Sequence, residues 1–246
     1  VIGKNLPAEV GIAADAREAL GQLARELRSM GVTEGDERRH EIEQYKTAYV
    51  DELKGMAPEQ VGIVEAIRGA LSDDAIVVSG VTNIAYWANV AYSVRQPGTF
   101  ITSSYFGTLG YGFPTALGAQ VGRPDRQVVA LCGDGGFLYS PQELSTALRY
   151  GINLVAVVFN NSAFGASRWN QTHRYGQRFI GTDLHNPDFV AYAESFGAQG
   201  LRAKTTGELS AALRRGFDHD GPTVIEVPLR ELPSPWHLMH LPRVRD

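Results

Sequence analysis

The chain has 246 residues, 43% hydrophobic and 20% charged, enough to bury a substantial core and of a length that suits one large domain or one domain with part of another. A net charge of −4, with no basic run interleaved with aromatics, argues against nucleic acid as a partner, and no apolar run approaches the roughly 18 residues a membrane span needs. The one cysteine, Cys132, excludes an internal disulfide and any multi-cysteine metal site; that usage fits a reducing compartment, and cytoplasm is the expected location.

The opening VIGKNLPAEV has neither an initiator methionine nor the basic-then-apolar order of a signal peptide, so the expectation is of a chain that begins inside a longer one. ADAREALGQLARELRSM follows, where Ala16, Leu20, Leu23 and Leu27 recur at helical spacing. Residues 29–57 are dense in alternating charge with few core candidates, which predicts a solvated linker helix.

From Pro58 onward, short β-branched runs alternate with helical stretches: residues 75–79, 99–103, 128–132, 154–159, 198–203 and 223–229. Several runs are apolar on both faces, as strands covered by helices on two sides must be. The alternation predicts an α/β fold, a doubly wound, mainly parallel six-stranded sheet. Helix boundaries agree. In YSPQELSTALRYG, Ser140 reads as an N-cap, Pro141 as the first helical residue, Glu143 as the partner of a capping box and Gly151 as a left-handed end. TTGELSAALRRGF predicts a helix from Thr206 with Leu209, Leu213 and Phe217 on one face.

Ligands of open α/β sheets bind beyond the carboxyl ends of the strands. Asp134 stands at such an end, directly after VVALC, and the next long run ends in Asn160 and Asn161. If the two strands are neighbours, a carboxylate oxygen and an amide oxygen meet in one crevice. That is hard oxygen ligation, suited to Mg²⁺ or Ca²⁺, and Mg²⁺ characteristically completes its shell with phosphate oxygens and water. Gly133, Gly135 and Gly136 would let a phosphate approach the backbone closely. GDG or NN alone is a common turn or loop; GDG, then 24 residues with a helix and a strand, then NN, is specific.

With these motifs the chain resembles the thiamine-diphosphate (ThDP) dependent enzyme superfamily, most closely its acetolactate synthase and benzoylformate decarboxylase branch. The resemblance covers residues 58–230, including SYFGTLGYGFPTALGAQVGRPDRQVVALCGDGGF and NNSAFGASRW. It implies three parts: residues 1–28 as the tail of a central domain, 29–57 as the linker, and 58–246 as the diphosphate-binding domain, with a C-terminal tail from about residue 230. By motif position, Asp134 and Asn161 would ligate Mg²⁺ through their side chains and Ala163 through its carbonyl. Gly133, Gly135, Gly136, Phe164, Gly165 and Ala166 would meet the diphosphate, with Val81, Thr82 and Asn83 on its other side. In GTLGYGFP, Gly107, Thr108 and Leu109 would flank the pyrimidine, the Gly107 carbonyl and Leu109 N–H bonding its edge and the Leu109 side chain wedging the cofactor into its bent form.

The resemblance also implies an absence. The family's activating glutamate belongs to a separate pyrimidine-binding domain that no part of this chain resembles. The chain is therefore expected to act with such a domain, from the same or a neighbouring subunit, in a homodimer or homotetramer, and to be inactive alone. The implied chemistry is decarboxylation of a 2-oxo acid followed by protonation or carboligation. Flavin contacts would lie mainly outside this chain, so binding of FAD stays open. Trp169 matches the RW of benzoylformate decarboxylase better than the acetolactate synthase pattern, which keeps an aryl 2-oxo acid decarboxylase as an alternative beside a non-catalytic ThDP-binding or regulatory module. His173 and His185 read as solvated or structural, and His237 and His240 lie in a tail that in relatives sometimes closes over the site. A nicotinamide dehydrogenase fits poorly, because no G-x-G-x-x-G follows a strand.

Overall fold

The computed structural model describes residues 2–4, 6–32, 36–103 and 106–239. In chain order its elements are α1 (Ala16–Ser29), α2 (Asp36–Met56), α3 (Pro58–Gly69), β1 (Ile76–Ser79), α4 (Asn83–Ala91), β2 (Phe100–Thr102), α5 (Gly112–Gly122), β3 (Val128–Gly133) and α6 (Asp134–Phe137). A 3₁₀ turn at Pro141–Glu143 leads into α7 (Leu144–Tyr150), followed by β4 (Val155–Asn160), α8 (Gly165–Arg174), α9 (Phe189–Phe196), β5 (Gln199–Arg202), α10 (Thr206–Phe217), β6 (Thr223–Pro228) and α11 (Trp236–Met239). They divide into two compact units, Val1–Glu52 with Trp236–Asp246, and Leu53–Pro235.

In the first unit, Asp15 caps α1, its Oδ1 accepting from the N–H groups of Arg17 at 2.9 Å and Glu18 at 3.3 Å. The helix forms where the spacing predicts it, but it buries none of its residues, and Leu20, Leu23 and Leu27 all stay exposed. The charged stretch is helical as α2; its residues 33–35 lie outside the described residues, as does His240.

The second unit is an all-parallel six-stranded sheet in the order β2-β1-β3-β4-β6-β5. Each predicted run forms one strand. β1 and β3 are buried along their whole length and β4 and β6 nearly so, whereas β2 and β5, at the two edges, are only partly covered. Helices α5, α7 and α9 pack on one face and α3, α4 and α10 on the other. On the first face, Val78, Ala130, Cys132, Ala156 and Val158 meet Phe113, Phe137, Leu144 and Phe189 in one core. Phe113 and Phe137 lie with ring centroids 5.2 Å apart, and Phe137 meets Phe189 edge-on at 5.8 Å.

One predicted cap differs. Ser140 makes no capping hydrogen bond, the helix enters through the 3₁₀ turn, and Glu143 Oε2 instead accepts from the Thr146 hydroxyl at 2.6 Å, so the capping box is absent. Gly151 does end α7 in the left-handed conformation, at φ 60°. In α10, Leu209 and Leu213 are buried and Phe217 partly so, and Thr205 caps the helix, its Oγ1 accepting from Glu208 N–H at 3.1 Å. Among the described residues no helix is long and apolar enough to cross a membrane.

Candidate functional site

The strand order reverses between β1 and β3. The chain leaves β1 toward β2 on one side and leaves β3 toward β4 on the other, which opens a crevice beyond their carboxyl ends. Beyond β1 the chain must pass close over β3. Gly80 donates its N–H to the Leu131 carbonyl at 2.9 Å, and a β-carbon at Gly80 would lie 2.6 Å from that oxygen, so only glycine allows the crossing. Val81, Thr82 and Asn83 follow and start α4.

β3 ends at Gly133, and Asp134 opens α6 with only 2% of its surface exposed. Its Oδ1 accepts from the Gly135 N–H at 2.9 Å and its Oδ2 from Asn186 Nδ2 at 2.8 Å. β3 and β4 are direct neighbours with Gly133 opposite Phe159, which brings Asp134 and the asparagine pair to adjacent strand tips. The two asparagines then divide. Asn160 turns away from the crevice, its Nδ2 donating to Glu226 Oε1 at 2.7 Å and its Oδ1 accepting from Asn186 Nδ2 at 2.8 Å and from Ser162 N–H at 3.1 Å. Asn161 of the pair lines the cavity, beside Asp134.

Past Asn161, Ser162 adopts a positive φ of 54°, and a short antiparallel contact forms: Ala163 bridges Asp183, Phe164 N–H donates to Thr182 O at 2.9 Å, and Leu184 N–H donates to Ser162 O at 2.8 Å. This clip aims the start of α8 at the crevice. The first N–H groups of any helix lack intrahelical acceptors and carry the positive end of its dipole, so Gly165, Ala166 and Ser167 line the crevice as ready donors to an anion.

The result is a cavity of about 350 Å³. It brings together Val81, Thr82, Asn83, Gly107, Leu109, Gly133, Asp134, Gly135, Gly136, Asn161, Ala163, Phe164, Gly165 and Ala166. Thr108 is the one candidate residue outside its lining; it is exposed, and its hydroxyl donates to the Leu109 carbonyl at 3.2 Å. Asn83 Nδ2 donates to Leu232 O at 3.0 Å, Pro233 O at 3.1 Å and Ser234 Oγ at 3.1 Å, while its Oδ1 is buried without a partner among the described residues. Trp169 lines the cavity and stacks on His173 with centroids 4.4 Å apart, while His185 is exposed. Burial raises the Tyr86 phenol above its ordinary value at the cavity wall.

Two parts of the site were not among the predicted site residues. Asn186, in HNPDF, reads only as a turn before a helix. The strap formed by Leu229, Arg230, Glu231, Leu232 and Ser234 closes one side of the cavity; the run of prolines after the last strand was its one available signal.

A parallel sheet with a polar crevice at its switch point defines an α/β ligand-binding domain of the doubly wound class. The family described as "Thiamine pyrophosphate enzyme, C-terminal TPP binding domain" matches residues 80–227, more than half of the chain, and the chain belongs to that family. Among its relatives, an acetolactate synthase of Bacillus subtilis is 38% identical over 68% of this chain and 29% of its own length. The mitochondrial acetolactate synthase catalytic subunit of Saccharomyces cerevisiae is 33% identical over 92% of this chain and 34% of its own. The solved structure of a thiamine diphosphate-dependent 4-hydroxybenzoylformate decarboxylase of Rhodococcus jostii RHA1 superposes with a TM-score of 0.64 at 32% identity, over 72% of this chain and 33% of that one. The chain thus spans about a third of the length of these relatives.

Proposed function

We propose that this chain supplies the diphosphate- and cation-binding half of the active site of a ThDP- and Mg²⁺-dependent decarboxylase or carboligase acting on 2-oxo acids, of the acetolactate synthase type. One observation carries the reading: Asp134 and Asn161, from the tips of two adjacent strands, line a single cavity together with the N-terminus of α8.

The donor set suits the ion. Among the described residues no cluster of three or more His, Cys, Asp or Glu could hold a metal, so a cation here takes hard neutral oxygens beside one carboxylate. Asp134, Asn161 and the Ala163 carbonyl would hold it, leaving charge to be balanced by a diphosphate on the N–H groups of Gly165 and Ala166. Leu109, which lines the same cavity, would support the bent cofactor. Bound ThDP would act as the electron sink for loss of carbon dioxide from the substrate. The protein's share is to orient it and to keep water from its reactive face.

The activating carboxylate would come from a pyrimidine-binding domain of the same or a neighbouring subunit, within a homodimer or homotetramer. The 4-hydroxybenzoylformate decarboxylase relationship favours a second donor class, aryl 2-oxo acids. Titrating ThDP with and without Mg²⁺, then following carbon dioxide release from pyruvate and from benzoylformate by the assembled protein, tests the proposal. Mg²⁺-dependent binding with turnover of one donor is expected. Binding without turnover of any 2-oxo acid would replace it with a non-catalytic module.

A further inference from the structure

We infer that Asn186 is a positioning residue for the cation site, holding the Asp134 carboxylate in register with the tip of β4. The inference rests on the reading of Asp134 as a cation ligand. A single nitrogen, Asn186 Nδ2, donates at 2.8 Å to Asp134 Oδ2 and at 2.8 Å to Asn160 Oδ1. It therefore spans the ends of β3 and β4, the two strands that deliver Asp134 and Asn161.

The Asn160 end of this bridge is fixed. Its Nδ2 donates to Glu226 Oε1 at 2.7 Å, and Glu226, only 5% exposed, accepts at Oε2 from Arg202 Nε at 2.8 Å. Because one end is anchored in β6 and β5, the bridge transmits that rigidity to the other end, Asp134. With Gly135 N–H on Oδ1 and Asn186 on Oδ2, the carboxylate plane is set from both sides. Each carboxylate oxygen keeps a lone pair for an ion.

Asn186 Oδ1 is buried and has no partner among the described residues. An unpaired buried acceptor opposes folding. The amide stands there despite that cost, its N–H groups meeting Asp134 Oδ2 and Asn160 Oδ1 at once. Outer partners of a ligating carboxylate orient it and tune the ion it holds.

The test is Mn²⁺ affinity in the presence of ThDP, read by electron paramagnetic resonance on the assembled protein, beside the unfolding midpoint without ligands. Asn186→Leu is expected to weaken Mn²⁺ about 10- to 100-fold. Leu209→Ala, a core truncation in α10, is expected to lower the unfolding midpoint and leave Mn²⁺ affinity unchanged. Asn186→Ala, which leaves room for water, gives the same comparison should the leucine variant fail to fold. Loss of stability in the Asn186 variants with Mn²⁺ affinity intact overturns the inference. Asp134→Asn separates the two readings: if that change leaves Mn²⁺ affinity intact, the assignment of Asp134 as a ligand is what fails.

Discussion

The ring of Phe164 fills the space a side chain at Gly135 would need. A β-carbon there would sit 2.6 Å from Phe164 Cε1 and 2.8 Å from Cδ1, with Leu184 Cδ1 at 3.1 Å behind. Phe164, its N–H on Thr182 O, immediately precedes α8, so a side chain at Gly135 must displace either the ring or the chain at the helix start. Gly135→Ala is expected to lower stability by about 1–3 kcal/mol through overpacking and to weaken ThDP binding. At Gly136 the nearest atom to an added β-carbon is Leu109 Cδ2 at 3.8 Å, ordinary contact at the cavity wall. Gly136→Ala should therefore keep its unfolding midpoint and lose cofactor affinity only. Urea unfolding together with a ThDP·Mg²⁺ titration of both variants separates the two effects.

The contrast between these neighbouring glycines shows what could be read from residues alone. Strands β1, β3 and β4 were legible because burial on both faces writes an unbroken apolar run, and the GDG and NN tips were legible because a strand end at a switch point has few roles. The division of labour between Asn160 and Asn161 came from the family resemblance, and its physical cause was not legible. That division is decided by Asn186 and Glu226, which lie 26 and 66 residues further along; Glu226 comes into reach when β4 pairs with β6, and Asn186 when Leu184 N–H bonds Ser162 O past the end of β4. The capping box at Ser140 failed for a local reason: Glu143 has a nearer partner in Thr146, and the box sequence does not register that competition.

Arg202 and Glu226 join the two outermost strands of one side of the sheet. Removing the cation in Arg202→Leu leaves the Glu226 carboxylate buried with the Asn160 amide as its remaining partner. An uncompensated buried charge costs about 3–5 kcal/mol, but the Arg202 side chain is 39% exposed and partly screened, so the expected loss is smaller than that. The double change Arg202→Leu with Glu226→Gln removes the charge as well and should recover part of that loss. Urea midpoints of the two proteins give the comparison.

The strap beside the cavity hangs largely on one carbonyl. Pro233 O accepts from Trp87 Nε1 at 2.9 Å, Asn83 Nδ2 at 3.1 Å and Gln60 Nε2 at 3.2 Å. Because the Asn83 amide also holds Leu232 O and Ser234 Oγ, Asn83→Ala should loosen the Leu232–Ser234 end of the strap, while Leu229 N–H stays on Asn160 O and Arg230 on Glu59. Amide hydrogen exchange at Leu232 and Ser234 is expected to quicken while β3 and β4 keep their protection. Unchanged exchange in the strap would show that Trp87 and Gln60 suffice.

Cys132 lies in β3 with 3% of its surface exposed, and burial pushes its thiol from the ordinary value of 9.0 up to about 12. Below pH 9 the folded and unfolded chains both keep the proton, and the buried thiol's contribution to stability is fully present. As pH rises past that value the unfolded chain ionises while the folded chain does not, so the contribution drains away until the folded thiol itself titrates. At pH ~10 the loss from this group is expected to be about 1 kcal/mol. Urea unfolding at pH ~7.5 and ~10 should show the native protein losing more stability than Cys132→Ala, by about that amount. The same burial predicts that a thiol reagent labels Cys132 at the rate of unfolding, so alkylation should accelerate in step with denaturant; rapid labelling of the folded chain would contradict a thiol sealed beneath the crevice.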